Sequence, residues 1–216
     1  MSIDVKICGL SDADSVAAAV EGGARFLGFV FYQKSRHHID PASAAALISK
    51  VPSTVATVGL FVDPSDDELK SVLDVVPLKL IQLHGSEAPE RVSEVRKNVG
   101  LPVIKAVGIG IQQDVAAAKI YEPVADYLLL DAKLPSGVPS GGKGVVFDWS
   151  LLGNASFSKP WFLAGGLNAD NIEKAVKMSH APLLDVSSGV EDVHRQKSPA
   201  LIRDFLDKVR AIETCC

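Results

Sequence analysis

A chain of 216 residues, 47% of them hydrophobic, carries enough apolar material to bury a full core, and one domain of this length is common among α/β barrels. Its net charge of −4 comes from interspersed signs, so there is no basic stripe for nucleic-acid phosphates and no lysine-rich amphipathic face for a membrane surface. No apolar run approaches the roughly 18 residues of a membrane helix, "MSIDVKICGL" lacks the make-up of a secretion signal, and Cys8, Cys215 and Cys216 offer no even disulfide framework. A reduced, cytoplasmic setting is expected, with a small molecule as partner and a monomer or homodimer as the working form.

In chain order, short apolar runs rich in β-branched residues alternate with alanine-rich helical segments, the pattern of parallel strands buried on both faces. "VKICGL" from Val5 precedes a helix over 13–21, and "LGFVF" from Leu27 one over 42–50. "ATVGLFV" from Ala56 leads to 65–75, "LKLIQLHG" from Leu78 to 89–98, and "VIKAVGI" from Val103 to 112–121. After "DYLLLDAK" from Asp126 the helical signal, starting near Asp148, is weak. "WFLAGGL" from Trp161 is followed by 169–178, and "LLDVSSGV" from Leu183 by 199–212. Ser11, Ser65 and Asn168 are cap-type residues ahead of helices, and Pro41 and Pro199 suit a first helical turn.

Eight βα units either close into a barrel or form an open doubly wound sheet. No G-x-G-x-x-G follows the first strand, and polar or glycine residues end many strands: Cys8, Gln82 with His84, Asp131, Gly165 with Gly166, and 185–189. A barrel gathers all of these around one mouth, whereas an open sheet gathers only those beside its switch point. The chain therefore reads as a single (βα)8 TIM barrel over 1–216.

Alternation along a strand turns Asp131 inward with Leu129 and Tyr127, while Leu128 and Leu130 face the helices. Asp131 is then expected to stand alone above an apolar floor, where desolvation favours its protonated form and suits it to act as a general acid. The competing reading, an aspartate that merely caps the next turn, is the weaker one after a Leu-Leu-Leu run. Cys8 shares a face with Lys6, and a cation beside a thiol favours the thiolate. A small buried hydrophobe is the alternative for Cys8, and its place at a strand end leaves the two readings level.

The stretches "FLAGGLNADN" and "LDVSSGVED" lie after the seventh and eighth strands, where such barrels often hold phosphate on backbone N–H groups and a helix N-terminus. Gly165, Gly166, Ser187 and Ser188 are the candidates, and "SGGKG" from Ser140 is a further glycine cluster able to cover the site or join it. His84 is a substrate contact or a hydrogen-bonded loop residue. His37 and His38 have no partners at metal-ligand spacing, and no cofactor or metal is called for.

These residues sit in stretches that resemble the phosphoribosylanthranilate isomerase family of tryptophan biosynthesis: "KICGL" at Lys6, "GFVFYQKSR" at Gly28, "VGLFVD" at Val58, "IQLHGSE" at Ile81, "LLLDAK" at Leu128, "GGKGVVFDW" at Gly141, "LAGGLN" at Leu163 and "LDVSSGVE" at Leu184. The likeness spans essentially the whole chain. It implies a (βα)8 barrel that carries out an Amadori rearrangement of N-(5-phosphoribosyl)anthranilate. It also implies Asp131 as the acid that opens the furanose ring, Cys8 as the base at sugar C2, Gly166, Ser187 and Ser188 as the anion site, and Asp185 as a sugar-hydroxyl contact. One departure stands out. The family's arginine for the anthranilate carboxylate comes two residues after a serine, whereas here the order is Ser35, Arg36, His37; a one-residue turn of the loop would bring Arg36 to the mouth with His37 toward solvent or the neighbouring loop. Competing readings are a histidine-pathway aldose–ketose isomerase, which typically has a carboxylate on its first strand, and a non-catalytic phosphosugar-binding barrel.

Overall fold

The computed structural model describes residues 3–133 and 147–214. Each of the apolar runs forms a strand: β1 (Asp4–Cys8), β2 (Phe26–Val30), β3 (Ala56–Phe61), β4 (Leu80–Leu83), β5 (Val103–Ile109), β6 (Tyr127–Ala132), β7 (Trp161–Leu163) and β8 (Leu183–Val186). All pair in parallel with their chain neighbours, and β8 returns to β1 to close the barrel. At that seam Lys6 lies beside Asp185 and Ile7 beside Val186.

Among the described residues, seven α-helices surround the strands: α1 (Ala13–Glu21), α2 (Pro41–Ile48), α3 (Asp66–Leu73), α4 (Pro89–Val99), α5 (Gln112–Ala118), α6 (Ile172–Ser179) and α7 (Pro199–Thr214). The weak segment near Asp148 yields only a short 3-10 turn, Trp149–Leu152, whose buried Trp149 and Leu152 cover the core where a full helix would otherwise lie. Gly153 follows it at once. Two caps differ from expectation. Asp12, not Ser11, caps α1 by accepting from the Ser15 N–H at 2.8 Å, because its carboxylate is one residue closer to the first free donors. Asn168 accepts from the N–H groups of Asp170 and Asn171, which organises the turn ahead of α6 instead of its first helical residue. Ser65 behaves as read, forming a reciprocal capping box with Glu68.

The strand alternation sorts side chains into two cores. Val58, Leu80, Ile104, Ala106, Leu129 and Phe162 fill the barrel interior, while Leu128, Leu130, Val5 and Ile7 belong to the larger cluster shared with the helices. Rings from the strand starts, Phe26 and Tyr127, meet Phe162 with centroids 5.1 and 5.9 Å away. Aromatic packing of this kind closes the N-terminal end of the barrel, so the C-terminal mouth is the open one.

A buried ion pair ties the loops after β3 and β4 to the wall. Lys105 points to the helix side of β5, and its ammonium lies 2.6 Å from Glu87 Oε2 and 2.8 Å from the Gly85 carbonyl, with the Tyr121 ring 5.5 Å away. Glu87 also accepts from the N–H groups of Asp63 and Gly85, while the Ser86 N–H donates to Asp63. The chain just past His84 is thereby held by ionic and backbone bonds at once. Removing one buried partner strands the other, so Lys105→Met alone is expected to cost about 3–5 kcal/mol in urea unfolding. Adding Glu87→Leu should recover only part of that loss, because the Asp63 and Gly85 N–H groups then have no acceptor; full recovery would show that the pair contributes packing alone.

Candidate active site

Inside β1, Lys6 and Cys8 point toward the barrel axis, as alternation requires. Lys6 is completely buried, and its ammonium is 2.7 Å from Asp185 Oδ1 on the neighbouring β8. Burial works against this charge, yet Asp185 and then Cys8 outweigh it and raise the Lys6 pKa. The close fit of the strands is helped by the absence of a side chain at position 28: a Cβ on Gly28 would come within 3.1 Å of both the Cys8 sulfur and the Lys6 ammonium and crowd them. Cys8 is buried, and its surroundings correct the expected direction of its acidity. Burial pushes the thiol pKa up, the attraction of Lys6 pulls it down, and the repulsion of Asp185 adds to the rise, so the net shift is upward. Lys6 does act on the thiol, but much of its charge is already matched by Asp185.

Asp131 is the penultimate residue of β6, above Leu129, so the apolar floor is present. The carboxyl is not alone on it. Its Oδ1 accepts from the Ala132 N–H at 2.8 Å, its Oδ2 lies 3.3 Å from His84 Nε2, and its side chain is 28% exposed. His84 in turn has Nδ1 2.9 Å from the Gln82 amide nitrogen. The imidazole is thus both a bonded loop residue and a neighbour of the candidate acid.

Arg36 and His37 reach the same rim from the loop after β2. Arg36 Nη2 is 2.5 Å from Glu191 Oε2, and His37 Nε2 is 3.1 Å from Glu191 Oε1. His37 does not turn to solvent. It packs over the strand end beside Cys8, where a Cβ on Gly9 would fall 3.1 Å from the His37 ring. Glu191 is buried between these groups and Lys197, whose ammonium is 2.8 Å away. Burial works to raise the Glu191 pKa, but His37 and Lys197 hold it at about 2. Lys197 also bonds the Ser187 carbonyl at 2.9 Å and hydroxyl at 3.1 Å, which links the carboxylate cluster to the loop after β8.

Gly165 and Gly166 have φ of +89° and +67°, a backbone form that L side chains rarely adopt. A Cβ on Gly165 would sit 2.7 Å from the Ala132 nitrogen and 3.1 Å from Asp131 Oδ1, so glycine there lets the β7 loop lie against the candidate acid. A bridge between Asn168 and Gly189 brings this loop to the one carrying Ser187 and Ser188. Helix α7 begins at Pro199 as expected, well beyond the serines, and the chain between makes a bridge between Glu191 and Lys197. The "SGGKG" cluster lies outside the described residues. Among the described residues no group of three potential ligands is placed to hold a metal, and no helix is long and apolar enough to cross a membrane.

Sequence reading passed over Gln82 as a site residue, and Glu191 and Lys197 altogether. Alternation on β4 marked Gln82 as an inward polar residue at the mouth; for the other two, only their place just beyond "SSGV" was a signal.

The profile of the N-(5'-phosphoribosyl)anthranilate (PRA) isomerase family matches residues 5–208. The chain is 51% identical to N-(5'-phosphoribosyl)anthranilate isomerase of Paracoccus denitrificans, over 98% of this chain and 99% of that one. Among solved structures it is similar to phosphoribosyl anthranilate isomerase from Thermotoga maritima, with a TM-score of 0.86 and 34% identity over 97% of this chain and 99% of that one. It is also similar, at a TM-score of 0.83 and 32% identity over 97% and 99% of the two chains, to a phosphoribosyl anthranilate isomerase in complex with reduced 1-(o-carboxyphenylamino)-1-deoxyribulose 5-phosphate. With half of its residues shared along nearly the full length, and with a barrel mouth that carries the polar set described above, the chain belongs to the N-(5'-phosphoribosyl)anthranilate isomerase family.

Proposed function

We propose that this chain converts N-(5'-phosphoribosyl)anthranilate to 1-(2-carboxyphenylamino)-1-deoxyribulose 5-phosphate by an Amadori rearrangement, the aldose–ketose isomerisation of tryptophan biosynthesis, with Asp131 as general acid and Cys8 as general base. The observation that carries the reading is the placing of a buried thiol and a carboxyl on β1 and β6, around one mouth above an apolar floor. A relative's complex with a reduced form of the same product supports the substrate. The Asp131 carboxyl gives its proton to the furanose ring oxygen, the C1–O bond breaks, and the anilino nitrogen's lone pair closes a Schiff base. Cys8 then takes the proton from C2, leaving an enolamine that tautomerises to the ketone. Two groups of opposite protonation around one substrate are what this sequence of steps needs.

Gly165, Gly166, Ser187 and Ser188 are the proposed phosphate cradle, supplied by loop backbone and hydroxyls and not by a helix end behind the serines. Asp185 offers Oδ2 to a sugar hydroxyl while Oδ1 stays with Lys6. Arg36 is the proposed partner of the anthranilate carboxylate, since a guanidinium held through Nη2 by Glu191 and through Nε by His37 keeps its remaining amino-group donors for a planar anion.

Replacing either proton carrier tests the assignment directly. Cys8→Ser and Asp131→Asn are each expected to cut turnover of phosphoribosylanthranilate, followed by its fluorescence, about 100-fold or more at unchanged melting temperature; near-native turnover in either variant removes that residue from the mechanism.

The raised thiol pKa has its own pH signature. Only the thiolate is alkylated, and its fraction grows tenfold per pH unit below the pKa. In a Cys215→Ser, Cys216→Ser background, iodoacetamide should therefore modify Cys8 at a rate still climbing as pH passes the ordinary thiol value of 9.0. A plateau below about pH 8 would mean that the lysines outweigh burial.

For the carboxylate, Arg36→Ala should lower kcat/KM by about 2–3 kcal/mol, and His37→Ala by less than roughly 1 kcal/mol. The reverse order would show that the imidazole beside Gly9 has taken over the contact.

A further inference from the structure

Among the described residues, Gln82 is the one fully buried amide turned into the mouth, and the proton transfers above do not use it. It shares the inner face of β4 with Leu80, is completely buried, and lies between Leu60 of β3 and Ile104 of β5 in the strand register. A hydrophobic residue would pack there without strain on polar groups. Instead the Gln82 carbonyl oxygen, Oε1, is buried with no hydrogen-bond partner among the described residues. A polar group kept in an apolar barrel with half its bonding capacity unmet calls for an explanation other than packing.

We propose that Gln82 is a positioning residue that sets the tautomer of His84, and through His84 orients Asp131. The proposal rests on the reading of Asp131 as the general acid. An amide nitrogen only donates, so with Gln82 Nε2 at 2.9 Å the His84 Nδ1 is the acceptor and carries no proton. In the neutral ring the proton is then on Nε2, the atom 3.3 Å from Asp131 Oδ2. Asp131 Oδ1 meanwhile accepts from the Ala132 N–H. Each oxygen thus faces one donor, which is the arrangement that favours the carboxylate left behind once Asp131 has given its proton to the substrate. The other tautomer would aim a lone pair at that carboxylate and an N–H at the amide N–H. A turned amide would reverse the chain, with Oε1 accepting from Nδ1–H and a bare Nε2 left to meet a protonated Asp131; the two arrangements differ in which ring nitrogen carries the proton.

Nitrogen-15 NMR of the imidazoles, with the His84 signals assigned by their loss in His84→Asn, reads this directly in the intact protein. Above neutral pH, Nδ1 is expected to be the unprotonated, pyridine-type nitrogen and Nε2 the protonated one. Gln82→Met should release that preference, and kcat should fall roughly 10-fold with KM changed less than about twofold. In the His84→Asn background the same substitution should cost nothing further. A proton on Nδ1 in the native protein, a tautomer unmoved by Gln82→Met, or an equal loss of kcat with His84 already replaced would each overturn the proposal. Should Gln82→Met not fold, Gln82→Glu serves: an acceptor in place of the donor should move the proton to Nδ1, and an unchanged Nδ1 would overturn it equally. The spectra do not depend on turnover, so failure of the acid assignment itself would appear separately, as native activity in Asp131→Asn.

Discussion

The seam between β1 and β8 is the constraint on which the rest of the site depends. Closing the barrel puts Lys6 beside Asp185, both inward and both buried, where neither charge is tolerable alone. A chain that left the sheet open would bury an ammonium on one edge strand and a carboxylate on the far one. The pair thus penalises the open arrangement, and it places a matched cation and anion directly under the Cys8 thiol. Gly28 completes the fit from β2, since any side chain there would intrude on sulfur and ammonium together.

The acidity of the groups around the mouth follows from that packing. Cys8 is surrounded by both signs of charge, so their effects partly cancel and burial decides the direction, upward. Glu191 has the opposite balance: it is also buried, but cations and a histidine converge on it and keep it ionised. Burial alone therefore predicts neither outcome; what matters is whether the nearby charges are already spent on one another. Lys6 is matched by Asp185, while Glu191 has more positive partners than it can neutralise, which leaves Arg36 with attraction to spare for a second anion.

Two kinds of support hold the candidate acid and its neighbours at the rim. On one side, Lys105 and Glu87 pin the loop that leaves His84, outside the barrel wall. On the other, Gly165 and Gly166 adopt backbone forms that let the β7 loop lie against Asp131. Rigid wall and close-lying loop together restrict where the carboxyl can go, and the aromatic plug of Phe26, Tyr127 and Phe162 ensures that only the C-terminal end is open to a ligand.

Much of this was legible in the residues. Runs such as "DYLLLDAK" state both that a strand forms and which side chains share its inner face, because a period of two is a local property. Helix starts were nearly as clear, and the slip from Ser11 to Asp12 is one residue in a choice between adjacent cap-type side chains. The weak signal near Asp148 was itself accurate, since a short turn stands where the repeat calls for a helix. The family motifs, spread along the chain, marked Cys8, Asp131, Arg36 and Asp185 as positions to examine.

What no local pattern contains is the partner of each polar side chain. That Lys6 meets Asp185, that Arg36 meets Glu191 and that His84 stands between Gln82 and Asp131 are facts of register between strands and of loops folded over one rim, joining residues up to 179 positions apart. The sequence by itself determined the strands, the faces and the candidate chemistry, because periodicity and residue type act within a few positions. Only the closed barrel decided which charges neutralise each other and which stay available, because electrostatic energy depends on distances that exist only after distant strands have been brought side by side.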